Sequence, residues 1–156
     1  MQDKNGREII TGDVVKIEGA FFKNDNGLWF VMHSPGDPNW SGRDYSLNKI
    51  GKTGKISTAK GKCGFWPLFI CTNDRCKNAE ARLHNKDHAT IEVVDYVDRT
   101  AIADLFAEEA EITRHMAVDY AYHWGEDNDV YRRYVKIIAY YQTIADRIRN
   151  SQEVAV

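Results

Sequence analysis

Ten of the eleven glycines and all three prolines lie at or before Pro67, and from Asn73 onward the only glycine is Gly125. Glycine supplies the positive φ of tight turns and proline interrupts helices, so the first part of the chain is suited to short extended segments and the second to long helices. With 156 residues, 43% of them hydrophobic, one core is expected, as a compact domain with an appendage. Charge divides along the same line. Residues 1–90 hold 14 Lys+Arg against 10 Asp+Glu, or +4, and residues 91–156 hold 7 against 13, or -6, which together give the net -2. That near-neutral balance excludes a wholly disordered chain and a globally basic protein that coats nucleic acid.

The longest apolar run, Cys63 to Cys71, is nine residues, about half of the roughly 18 that a membrane span needs. Met1-Gln2-Asp3-Lys4-Asn5-Gly6-Arg7 has no apolar stretch after its charges, which predicts an intracellular, cytoplasmic protein. Three cysteines cannot all pair, and this suits a reducing compartment.

In the first part, Val15-Lys16-Ile17-Glu18 alternates, Ala20-Phe21-Phe22 leads into Lys23-Asn24-Asp25-Asn26-Gly27, and Leu28-Trp29-Phe30-Val31-Met32 follows. This pattern predicts two strands joined by an Asn26-Gly27 turn. Further strands are expected at Tyr45-Ser46-Leu47, Lys55-Ile56-Ser57, Phe65 to Thr72 and Ala89 to Val94, with a short helix from Asn73 or Asp74 through Leu83. Pro67 lacks an amide donor, so its strand belongs at an edge or carries a bulge. Closely spaced glycine turns predict an antiparallel twisted sheet or a small SH3-like barrel over residues 8–96.

In the second part, Val130, Tyr134, Ile137, Tyr141, Ile144 and Ile148 alternate in steps of four and three, the seam of a helix packed along another helix. Asn128 or Asp127 caps its start. Upstream, a helix opening at Asp98 or Thr100 carries Ile102, Leu105, Phe106, Ala110, Ile112, Met116, Ala117 and Tyr120 as a wide apolar stripe and closes at Gly125. The short connection makes an antiparallel hairpin over 99–150. Such a hairpin either covers an open face of the sheet or pairs with a second copy as a homodimer. The expected fold is therefore α+β, a sheet or barrel followed by a helical hairpin.

Candidate chemistry is sparse. Cys71-x4-Cys76-x7-His84-x3-His88, with Cys63 nearby, contains four tetrahedral zinc donors, but the gap is shorter than that of a usual finger and there is no Cys-x2-Cys knuckle. Buried thiols and solvent-facing imidazoles account for it better. Glu111, His115, Asp119 and His123 follow one another at i, i+4, yet these steps drift around the helix, so a solvated polar face is expected rather than a metal site. There is no nucleophile elbow and no phosphate-cradling glycine loop. His88-Ala89-Thr90 is a single His-x-Thr triplet, where paired acid and base catalysis would need two. A non-enzymatic protein without metal or cofactor is expected.

The stretch Ser46 to Lys62 carries Lys49, Lys52, Lys55, Lys60 and Lys62 and no acid, flanked by Trp40, Arg43 and Tyr45 and by Phe65 and Trp66. Cations interleaved with aromatic rings suit a phosphate backbone and stacked bases, so these residues are the candidate partner or nucleic-acid surface. The acidic hairpin points instead to a basic groove on a protein.

Gly12-Asp13-Val14-Val15-Lys16-Ile17, Phe22 through Phe30, Gly54 through Lys60 and Asn78-Ala79-Glu80-Ala81-Arg82 resemble small uncharacterised accessory proteins carried by phages and conjugative elements of Gram-positive bacteria. The likeness covers most of the chain and carries over no functional residue. It implies a setting in which short proteins bind and disable host defence machinery: a counter-defence inhibitor of a host nucleic-acid-processing complex such as a CRISPR effector. Direct nucleic-acid binding, and sequestration of a small nucleotide between sheet and helices, are the alternative functions.

Overall fold

Apolar residues at alternate positions of an extended chain all face one way, and neighbouring strands must match that parity to share a core. In the computed structural model they do so over β1 (Val14–Glu18), β2 (Gly27–His33), β3 (Tyr45–Ile50), β4 (Leu68–Ile70) and β5 (Thr90–Val93). The structure describes residues 1–40, 44–51, 56, 68–70, 89–95 and 98–154. The chain divides into two units, Met1–Val97 and Asp98–Val156, and the fold is α+β: a five-stranded antiparallel sheet curled into a half-barrel, then a helical hairpin. Among the described residues no helix is long and apolar enough to cross a membrane.

The sheet runs in the order β4-β3-β2-β1-β5. Val15 pairs with Trp29 and Val93, Ile17 with Ile91, Val31 with Leu47, Leu47 with Leu68, and Tyr45 with Ile70. These residues form one buried cluster with the partly buried Leu68 packed against it, and complete burial of a side chain of this size contributes roughly 1.5–3 kcal/mol. The register slips between Val31 and His33. This bulge turns His33 to the face opposite Val31, level with Ser46 and, beyond it, Phe69.

The edge at β5 is closed by the N-terminal segment. Lys4 N donates to Ile91 O at 2.9 Å, and the buried Asp3 accepts the Val93 amide on Oδ2 and the Asn5 and Arg7 amides on Oδ1, each at 2.9 Å. Burial pushes the Asp3 carboxyl up, but these three amides and the Arg7 charge outweigh it and hold its pKa below the ordinary 3.8. Thr11 and Ser34 exchange amide and hydroxyl bonds, Thr11 N to Ser34 Oγ at 3.2 Å and Ser34 N to Thr11 Oγ1 at 3.0 Å, and so tie the turn before β1 to the end of β2.

Two expectations change at the β1–β2 connection. Phe21 and Phe22 do not extend the strand, and Asn26-Gly27 is not the turn. Asn26 is extended, at φ -74° and ψ 150°, because its side-chain Oδ1 reaches back to accept the Ala20 amide at 2.8 Å. The reversal is made instead by Gly19 and a 3-10 turn at Lys23–Asp25, and Gly27 opens β2. Of the expected strands, β3 runs on to Ile50, and the Lys55-Ile56-Ser57 segment is represented by an isolated bridge from Ile56 to Ile50. Of the strand expected over Phe65 to Thr72, Leu68–Ile70 is described, as β4 at the sheet edge. The helix expected over residues 73–83 lies outside the described residues.

In the second unit, α1 (Thr100–Trp124) and α2 (Asp129–Val154) are joined through Gly125, at φ +77°. Asn128 caps α2: its Oδ1 accepts the Tyr131 amide at 2.9 Å and its Nδ2 donates to Gly125 O at 2.9 Å. On α1 the buried line is Ala103, Phe106, Ala110, Thr113 and Ala117, again in steps of three and four. Phe106 meets Tyr141 at 5.8 Å between ring centroids, Tyr120 meets Tyr134 at 5.8 Å, and Arg149 pairs with Asp104 at 3.0 Å. These rungs fix the antiparallel register. Of the wide stripe expected on α1, Ile102, Phe106, Ala110 and Ala117 are buried and Leu105 and Tyr120 half-buried; Ile112 and Met116 are exposed, and Thr113 is buried instead with its Oγ1 bonded to Glu109 O at 2.8 Å. Small residues in the seam let the two backbones approach closely, and a larger residue at those positions would hold them apart.

Candidate functional site

Lys49 follows Tyr45 and Leu47 at the same parity of β3, so it pairs with Trp29 on the core face rather than facing solvent. Its Nζ lies 4.7 Å from the Trp29 ring centroid and donates to Asn24 O at 2.7 Å and to Asn26 O. Burial lowers the Lys49 pKa against the opposing pull of Asp25. The ammonium is therefore committed to the β1–β2 loop. Trp29 Nε1 donates to Asp25 O at 2.8 Å from the other side, and the loop so braced carries Phe21, 65% exposed, and Phe22, their rings edge to face at 5.0 Å. This exposed aromatic pair was not among the candidate residues read from sequence. Its signal is two adjacent aromatics beside a turn, which alternation would send to opposite faces.

The other flanking aromatics also have internal roles. Tyr45 is 2% exposed in the sheet core, and its hydroxyl accepts a hydrogen bond from the Met1 amino nitrogen at 2.8 Å. Burial removes its ring from contact with an outside base. Trp40 stacks on His33 at 4.9 Å and 3° and lies nearly parallel to Phe69 at 6.3 Å and 14°. Because Ser46 separates His33 from Phe69 across the strands, its small side chain leaves room for a ring between them. The Trp40 indole donates to Asp44 O at 2.8 Å. Asp37, its side chain fully buried, faces His33 Nδ1 at 2.9 Å through Oδ2 and accepts the Asn39 amide at 2.8 Å through Oδ1. The pair anchors the loop to β2. Arg43, Lys52, Lys55, Lys60 and Lys62 lie outside the described residues, as do Cys63, Cys71, Cys76, His84 and His88.

On the hairpin, Ile137, Tyr141, Ile144 and Ile148 are buried and Tyr134 is half-buried against Tyr120, so the α2 seam is occupied within one chain. Val130 alone of that set is exposed. Glu111 pairs with Arg114 and approaches His115 at 3.5 Å. Among the described residues no group of three or more His, Cys, Asp or Glu is placed to hold a metal ion. The first half of α1 carries Asp104, Glu108, Glu109 and Glu111 with no Lys or Arg from Thr100 to Thr113. Asp104, Glu108 and Glu111 are exposed and, at steps of four and three, share one face. Glu108 and Glu109 form no ion pair among the described residues.

No protein-family profile, no curated protein and no solved structure matches the chain.

Proposed function

We propose that the protein is a non-enzymatic binding protein of a mobile genetic element, which inhibits a host nucleic-acid-processing complex such as a CRISPR effector by laying the acidic face of α1 in a basic groove of that complex. The observation that carries this reading is the run of Asp104, Glu108, Glu109 and Glu111 without an intervening cation. Asp104, Glu108 and Glu111 share one exposed face, and Arg149 and Arg114 pair with its two ends. Glu108 between them, without an ion pair among the described residues, and Glu109 beside it leave a negative potential that repels a phosphate backbone and steers the helix toward a basic surface. Direct nucleic-acid binding draws less support, since Lys49 already serves the fold.

The test is capture from a bacterial lysate by the tagged chain, compared with a Glu108→Lys/Glu109→Lys variant of equal helix content. A stoichiometric protein that heparin releases and the variant fails to hold supports the reading. Equal capture by both chains contradicts it.

A further inference from the structure

Every exposed large hydrophobic residue described in the hairpin falls in its turn-side half. On α1 these are Ile112, Met116, Val118, Tyr122 and Trp124, and on α2 Val130 and Val135; from Thr100 to Glu111 and from Lys136 to Ser151 there is none. Tyr122 is 86% exposed and Trp124 73%. At about 100° per residue, the pair Ile112 and Met116 and the pair Val118 and Tyr122 lie roughly 120° apart around α1, either side of its charged outer line. With the buried seam, α1 is apolar on three sides at this end, the pattern of an enclosed helix.

We infer that the turn-side half of the hairpin is a self-association surface, which two copies of the chain cover for one another. Two features favour a second copy over other occupants. A single flat partner reaches only one of the two flanks, whereas another hairpin brings two helices that can lie along both. The charge of the region is also mixed: Asp119, Glu126, Asp127 and Asp129 stand with Arg114, Arg132 and Arg133, leaving -1 between Ile112 and Val135. A patch that must complement itself across a two-fold axis needs both signs, while a phosphate-rich partner selects one. Anionic lipid and nucleic acid are disfavoured on the same ground. The inference is independent of the partner proposed for the first half of α1.

The experiment is sedimentation equilibrium of the full chain at up to about 100 μM, a range that detects associations of moderate strength. The chain mass is 17.9 kDa, and the expected result is twice that mass, retained in high salt because the contact is mainly apolar. Tyr122→Glu and Trp124→Glu alter exposed side chains, so circular dichroism should stay unchanged while each weakens association at least about tenfold. Monomer throughout the range overturns the inference. So does a dimer that both variants leave intact, or one abolished instead by Phe21→Glu.

Discussion

Lys49 holds its ammonium 4.7 Å from the centre of the Trp29 ring and donates to the Asn24 and Asn26 carbonyls, so this one of the five lysines read as candidate nucleic-acid contacts is a brace for the β1–β2 loop. Lys49→Met keeps the aliphatic stem and removes the charge. It should cost about 1–3 kcal/mol in urea unfolding, the range for hydrogen bonds from a charged group together with a cation over an aromatic face. Stability equal to wild type would return Lys49 to the list of surface contacts.

Gly27 sits at φ +117°, and a Cβ there would come within 3.2 Å of Lys49 Nζ. Gly27→Ala is expected to destabilise by roughly 1–3 kcal/mol through the strained backbone. Combining it with Lys49→Met should recover part of that loss, because the Cβ no longer meets an ammonium tied to the loop carbonyls. Strict additivity in the double-mutant cycle would show that the two positions do not interact.

How much of this was legible follows from parity and period. The apolar alternation of Val15 and Ile17 with Trp29 and Val31 placed the strands, and the steps of four and three from Tyr134 to Ile148 placed the α2 seam. Three features were not legible by hydropathy. The buried line of α1 passes through Thr113 beside Phe106 and three alanines, whereas the expected stripe took in Ile112 and Met116, which are exposed. Asn26-Gly27 carries the preferred turn dipeptide, but a side-chain bond to Ala20, made across the loop, outweighs that local preference. The bulge that sets His33 beside Trp40 arises from cross-strand register, which no single strand encodes.

Asp3 gives the first unit a definite response to acid. Its carboxyl has a folded pKa below the unfolded 3.8, so the folded state binds its proton less readily than the unfolded chain. The stabilisation is fully present above the unfolded value and is lost as pH falls through the folded one. Asp3→Asn should therefore lower stability near neutral pH by roughly 1–3 kcal/mol and flatten the acid limb of a melting-temperature profile. An acid limb as steep as in wild type would assign that limb to other carboxyls.

The α2 cap isolates the hairpin. Asn128→Ala removes the bond from the Tyr131 amide and the bond to Gly125 O and should cost about 0.5–2 kcal/mol. Hydrogen exchange should quicken in the first turn of α2 while the sheet amides of β1 and β2 keep their protection. Uniform loss across both units would mean that they unfold together.

The claim that the chain works by binding a protein is tested most directly by purifying the tagged protein from bacterial lysate with and without nuclease, and measuring the protein and the nucleic acid that accompany it. A stoichiometric protein partner that survives nuclease is the predicted result. Nucleic acid alone, released as salt rises with the steep slope of phosphate contacts, would contradict it and transfer the function to the lysine-rich segment.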